Sequence, residues 1–150
     1  MSDKHRTFNV LNILLKFHAF PSDTMGKFSM VECVVPPGAG APPNHHAGET
    51  ESFFVLDGEF GFMLDGQEFV AKAGDHVAVP DGATHAFSAM GDTPSRILIV
   101  NAPGHMHEQF FTDIGTALPE DQTTLPEPAE PDIPAIMAAA EACGMTIVGP

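Results

Sequence analysis

The segment 56–102, LDGEFGFMLDGQEFVAKAGDHVAVPDGATHAFSAMGDTPSRILIVNA, decides the predicted fold of this chain. Residue pairs typical of turns interrupt it at short intervals, and these are Asp57-Gly58, Asp65-Gly66, Ala73-Gly74, Asp81-Gly82 and Gly91-Asp92. The stretches between the turns have the length of strands and fall at 60–64, 67–71, 76–79, 85–90 and 95–101. The spacing is too tight for βαβ units, so the pattern predicts an all-β sandwich or barrel.

Two further strands are predicted ahead of this segment, at 7–18 and 28–35, and a turn at 21–26 joins them. The second of these strands is rich in β-branched residues, which favour extended backbone. It ends at Pro36 and Pro37, because proline cannot donate a hydrogen bond to a continuing sheet.

The pattern changes after residue 102 and predicts two helices. The apolar residues of the first, within 105–114, recur at helical spacing and are Phe110, Phe111 and Ile114. Asp132 and Gly144 are suited to cap the second helix at its two ends. The acidic, proline-rich stretch 120–132 between the helices is predicted to be a solvated linker.

The sequence therefore predicts a single domain over 1–150. Its core barrel is expected at about 7–102, and a helical extension at 103–150 is expected to pack outside the barrel or on a second subunit.

Composition restricts the partners of this protein. Twenty acidic residues against six basic ones give a net charge of −14, which repels phosphate backbones and anionic lipid, so we expect neither nucleic acid nor membrane as a partner. The two cysteines, Cys33 and Cys143, show no CxxC spacing, and Cys33 lies in an apolar run typical of a core. With no apolar run long enough to span a membrane, we expect a soluble, cytoplasmic protein.

Two segments carry residues that suit a metal site. Side chains two apart on an extended chain share a face, so Asn44 and His46 point together while His45 points away. Glu51 follows after a short bend, and His85 begins another predicted strand. Two imidazoles and one carboxylate form a set that binds Fe, Mn, Ni or Zn and leaves coordination positions open.

Both segments resemble the two sequence motifs of the cupin family. The gap from Glu51 to Gly58 matches the first motif, and the spacing Gly74-x5-Pro80-x-Gly82-x2-His85 matches the second. The chain is similar to small single-domain cupins of the quercetin-dioxygenase-like group. The resemblance implies a double-stranded β-helix, that is, a jelly-roll barrel, with short C-terminal helices, and it implies a homodimer.

The resemblance also implies a ligand set for a divalent transition metal, namely His46, Glu51 and His85. In this register Asn44 occupies the place of the first histidine of the family, where it acts as a loose fourth ligand or as an orienting residue. A register shifted by one residue would supply His45 instead, but it would turn His46 away from the site.

The function implied by the resemblance is that of a metal-dependent, dioxygenase-like enzyme that acts on a small aromatic or enol-type molecule in the barrel. Glu51 would either remain a ligand or accept the proton of the substrate. The alternatives are a cupin isomerase or decarboxylase, and a non-catalytic module that binds or senses a small molecule or a metal.

For two other groups of residues the sequence predicts simpler roles. His105 and His107 lie two apart on a predicted helix and diverge by about 200°, so we expect them to face solvent or an interface. Most phenylalanines of the barrel strands are expected in the core, with a minority lining the pocket; they are Phe53, Phe54, Phe60, Phe62, Phe69 and Phe87.

Overall fold

The computed structural model describes residues 3–148. Its strands are β1 (Thr7–Val10), β2 (Ile13–Ala19), β3 (Ser29–Val35), β4 (Gly40–His46), β5 (Thr50–Asp57), β6 (Glu59–Leu64), β7 (Gln67–Lys72), β8 (His76–Val79), β9 (His85–Ala89), β10 (Ser95–Ala102), β11 (Thr116–Ala117) and β12 (Met145–Ile147). Its α-helices are α1 (His105–Ile114) and α2 (Ile133–Cys143).

The strands form two antiparallel sheets, in the orders β11-β1-β2-β3-β10-β5-β8 and β12-β4-β9-β6-β7. From β3 to β10 the chain passes back and forth between the sheets, except at the β6–β7 hairpin, which stays within one sheet, and the turns predicted from the sequence separate the strands. This alternation is that of a double-stranded β-helix, so the predicted fold class is confirmed.

The core lies between the two sheets because alternate side chains of each strand point inward. On β3 the buried positions are Ser29, Val31, Cys33 and Val35, and the residues between them are half-buried. Larger rings, including Phe17, Phe53 and Phe60, fill the space between the sheets. Burying each such ring contributes about 1.5–3 kcal/mol, which is the main force that closes the barrel.

The predicted first strand is wrong in one respect, because residues 7–18 form the hairpin of β1 and β2. Leu11 and Asn12 adopt positive φ values of 54° and 68°, as a two-residue hairpin turn requires. The Asn9 Oδ1 atom accepts a hydrogen bond from the Asn12 backbone N–H at 3.0 Å and stabilises the turn.

Both predicted helices are confirmed. The Asp132 side chain accepts a hydrogen bond from the Ala135 N–H at 3.1 Å at the start of α2, and Gly144 ends this helix in the left-handed conformation. The extension is more closely joined to the barrel than expected, because β11 pairs with β1 and β12 pairs with β4. The two helices pack together through a small apolar cluster around Phe110 and Ala140.

The linker between the helices is mostly exposed, as expected, but it is attached to the barrel at the first hairpin. The Asn12 side chain donates to the Ala129 carbonyl at 3.1 Å and accepts from the Ala129 N–H at 3.0 Å. Among residues 3–148, neither helix has the length and apolar character needed to cross a membrane.

Candidate metal centre

The structure brings His46, Glu51 and His85 together inside the barrel. β4 and β9 are neighbours in one sheet and carry the two histidines, while β5 carries Glu51 on the opposite sheet. The Glu51 Oε1 atom lies 2.8 Å from His85 Nε2 and 3.4 Å from His46 Nε2. All three side chains are buried, with 5% or less of each residue exposed.

His107 joins this cluster from α1, so the prediction that it faces solvent or an interface is wrong. Its Nε2 atom lies 3.7 Å from Glu51 Oε2, and its ring centre is 4.6 Å from that of His46. Potential ligand atoms of His46, Glu51 and His107 all lie within 4.8 Å of one another. His105, in contrast, is exposed as expected.

The helical spacing of α1 contains the signal that identifies His107. Phe110, Phe111 and Ile114 follow it by three, four and seven residues, which places His107 on the same face as these apolar side chains. That face turns towards the barrel, whereas His105 lies off it. His105 and His107 point in different directions from the helix, so His107 is buried while His105 is exposed.

Glu49, which the sequence motifs do not single out, fixes the orientation of the His107 ring. Its Oε1 atom lies 2.7 Å from His107 Nδ1. Burial by itself raises the pKa of Glu49, but the hydrogen bonds from the His107 ring and from the Met106 N–H outweigh it and lower the pKa below its ordinary value.

The surroundings of His85 favour its protonated form. Its Nδ1 atom lies 2.9 Å from the Ala83 carbonyl oxygen, and its Nε2 atom faces Glu51. Burial opposes a charge on this ring, but the hydrogen bond to Glu51 and the charge of Glu51 raise the pKa of His85. The imidazolium form satisfies both acceptors, since each ring nitrogen then donates one hydrogen.

Glu51 is the anion at the centre of the cluster. Burial alone raises the pKa of a carboxyl group, but the charge of His107 and the interactions with His46 and His85 lower the pKa of Glu51 well below its usual range. The carboxylate is therefore ionised and available as a ligand.

His46 provides the observation that favours a metal. Its Nδ1 atom has no hydrogen-bond partner among the described residues, and its Nε2 atom has only the 3.4 Å contact with Glu51 Oε1, which lacks the geometry of a hydrogen bond, although only 2% of the residue is exposed. An unsatisfied buried polar group costs about 1–3 kcal/mol. A divalent transition metal bound to Nε2 would satisfy one nitrogen, and imidazole and carboxylate are suitable ligands for such a metal. The residues present therefore fit the implied metal.

Asn44 lies beside the cluster and connects β4 to β9. Its amide nitrogen donates to the Pro42 carbonyl at 2.9 Å and to the His85 carbonyl at 3.3 Å. Only its amide oxygen remains for a metal, so a ligand role for Asn44 stays a prediction. His45 is half-buried between the buried Asn44 and His46, in agreement with the register chosen from the sequence.

A cavity of about 1010 Å³ leads away from the cluster. Glu51, His85 and His107 line its inner part together with Phe53 and Phe87. The first hairpin, the linker and both helices border the rest of it. Among the described residues that line the cavity, none is a lysine or an arginine.

Comparisons with known proteins agree with this architecture. The sequence profile of the Cupin_2 family, described as a cupin domain, matches residues 31–101. An uncharacterized protein of Methanocaldococcus jannaschii is 30% identical over 82 residues, which are 55% of this chain and 66% of that protein. Quercetin 2,3-dioxygenase of Bacillus subtilis is 30% identical over 97 residues, which are 65% of this chain and 28% of that enzyme.

A solved structure from Thermotoga maritima, a predicted oxalate decarboxylase, shares the fold. It has a TM-score of 0.60 and 23% identity, and the match covers 68% of this chain and 96% of that one. This chain thus covers 66% of the length of the first relative and about a quarter of the dioxygenase.

Proposed function

Residues 31–101 of this chain match the cupin domain family, and from that premise we propose that the chain is a metal-dependent cupin enzyme. The proposed activity is dioxygenase-like, and the proposed substrate is a small aromatic or enol-type molecule. The observation that carries the proposal is a buried cluster of one carboxylate and three imidazoles at the base of an apolar cavity.

The proposed ligands of the metal are His46, Glu51 and His107, because their ligand atoms are mutually close. His85 contacts the same carboxylate and is in reach as a further ligand, while Asn44 orients the site through its bonds between β4 and β9. The metal itself is Fe, Mn, Ni or Zn. When bound, it supplies Lewis acidity, which lowers the pKa of a coordinated hydroxyl group.

The cavity lining favours an uncharged substrate with an aromatic ring. Phe53 and Phe87 contact each other beside the cluster, with ring centres 5.2 Å apart, and offer an apolar surface to a ring. The absence of basic side chains among the described lining residues disfavours carboxylates and phosphates, and acidic groups such as Asp113 and Glu130 strengthen that effect. The volume is at the upper end of the range for small-molecule sites.

Glu51 is the proposed catalytic residue. Its carboxylate is ionised, faces the cavity and accepts the hydrogen of a substrate hydroxyl group. The phenylalanine rings around it exclude water and hold the substrate ring in place.

The proposal is tested by oxygen uptake with quercetin as the probe. The metal content of the purified protein is determined first, and then portions loaded separately with Fe²⁺, Mn²⁺, Ni²⁺ or Zn²⁺ are assayed with an oxygen electrode. We expect uptake with at least one metal, its loss in His46→Ala, and its retention in His45→Ala. Tight binding of quercetin without oxygen uptake under any loading would contradict the dioxygenase activity.

A further inference from the structure

Glu49 is a buried carboxylate outside the proposed ligand set. It lies in the connection between β4 and β5, and only 3% of it is exposed. A carboxylate this deeply buried needs several donors to compensate for lost hydration. Its donors Met106 and His107 belong to the first turn of α1.

Three hydrogen bonds connect Glu49 to that turn. The Met106 N–H donates to Oε2 at 3.0 Å, the His107 N–H donates to Oε1 at 3.3 Å, and His107 Nδ1 lies 2.7 Å from Oε1. The residue at the start of the helix is Gly104, which has no side chain to cap it. Glu49 therefore satisfies backbone donors that would otherwise remain unpaired.

The ring contact has a further consequence for His107. A carboxylate only accepts, so the hydrogen of the neutral ring must lie on Nδ1. The other nitrogen, Nε2, then presents its lone pair towards Glu51 Oε2, 3.7 Å away. Without Glu49, a hydrogen on Nε2 would be favoured, because it could donate to Glu51.

We propose that Glu49 is a positioning residue that keeps the His107 Nε2 lone pair directed at the metal and holds α1 against the barrel. The inference rests on the metal site of the proposed function. Asn44 stands where the cupin motif has its first histidine, and His107 of α1 supplies the missing imidazole in its place. The Glu49 carboxylate sets the tautomer of that imidazole. Such carboxylate–histidine–metal arrangements fix the ring and raise its basicity as a ligand.

The test uses full-length protein and three variants, Glu49→Gln, Glu49→Ala and the control Glu108→Gln. Glu108 is the next residue after His107 and pairs with Lys4 at 2.7 Å, away from the cluster. Nitrogen-15 NMR of the metal-free proteins, at a pH where the ring is neutral, reports which His107 nitrogen carries the hydrogen. Titration with Co²⁺, followed by its visible absorption, gives the metal affinity. Circular dichroism confirms that each variant is folded.

In the wild type and in Glu108→Gln we expect the hydrogen on Nδ1 and the same Co²⁺ affinity. In Glu49→Ala we expect it on Nε2, with an affinity about 10- to 100-fold weaker. Glu49→Gln retains one acceptor oxygen, so we expect a smaller loss, and this variant carries the test if Glu49→Ala does not fold.

Two results separate the inference from the function on which it rests. If the wild type binds no Co²⁺, the metal site is wrong, while the NMR comparison still decides whether Glu49 sets the tautomer. If the wild type binds Co²⁺ and the Glu49 variants keep both the wild-type affinity and the Nδ1 hydrogen, Glu49 has only a helix-capping role and the inference is overturned. A weaker affinity with an unchanged tautomer overturns it equally.

Discussion

Replacing His107 by alanine removes one of the three ligands proposed for the metal and leaves the barrel strands unchanged. His107 is the only one of the three that the helix supplies, and its Nε2 atom lies 3.7 Å from Glu51. The metal-free variant loses some stability because the buried ring disappears. The useful quantity is therefore the stabilisation that metal adds to each variant, in which this loss cancels.

The size of the effect follows from linkage between binding and folding. At a free metal concentration about 100 times the dissociation constant, the metal adds about 2.7 kcal/mol to the free energy of unfolding. For a chain of this size that corresponds to a rise in Tm of about 5–11 °C. Changes around a ligand alone weaken metal binding about 10- to 100-fold, so we take about 100-fold for loss of the ligand itself. The stabilisation then falls to about 0.4 kcal/mol, or about 1–2 °C.

The assay is thermal unfolding with and without Zn²⁺ at one fixed concentration, for the wild type, His107→Ala and His105→Ala. His105 is the matched control, because it lies on the same helix but is exposed. We expect the full metal-dependent rise in the wild type and in His105→Ala and a nearly absent rise in His107→Ala. An equal rise in all three proteins would refute the assignment of His107 as a ligand.

Three further predictions follow from the fold and the charges. Gly104→Ala should lower the free energy of unfolding, measured in urea, by about 2–4 kcal/mol, because φ is +97° and the added carbon would lie 2.6 Å from Ser29 Oγ. Gly66→Ala is the control, because its φ is +85° but the space around it is open. It should lower the free energy of unfolding only through backbone strain, by about 1–2 kcal/mol. The pKa values of Glu49 and Glu51 are lowered from 4.5, so their contribution to stability is present above that pH and is lost as the pH falls through the lower values of the folded state. We therefore expect the Tm of the metal-free protein to fall below about pH 4.5, and a Tm that is unchanged on acidification would count against the charged cluster. The homodimer stays a prediction, for which sedimentation should give twice the mass of one chain rather than a monomer.

The barrel could be predicted from the sequence because the residues that form its turns are adjacent in the chain. Each Gly-containing pair, such as Asp65-Gly66, breaks the chain at the end of one short strand and the start of the next. The first hairpin could not be predicted in the same way. Its turn at Leu11-Asn12 lies within an apolar run, and only the Asn9 side chain and the packing of both strands reveal it.

The inward direction of His46, Glu51 and His85 could also be predicted, because alternation along strands determines which face a residue occupies. Whether His107 joins the cluster depends on how α1 lies across the barrel. The spacing of residues within the two motifs does not determine the position of α1. Its place on the apolar face of α1 indicates burial, but the contact with Glu51 arises only from the tertiary fold. The same holds for Glu49, whose partners are nearly sixty residues further along the chain.

A crystal structure of the protein grown with Mn²⁺, with anomalous diffraction data, tests the central claim most directly. We expect one strong anomalous peak inside the barrel, bonded to His46 Nε2, His107 Nε2 and the Glu51 carboxylate. An empty cluster at saturating Mn²⁺, or a peak that contacts His46 and Glu51 while the His107 ring points away, would contradict it.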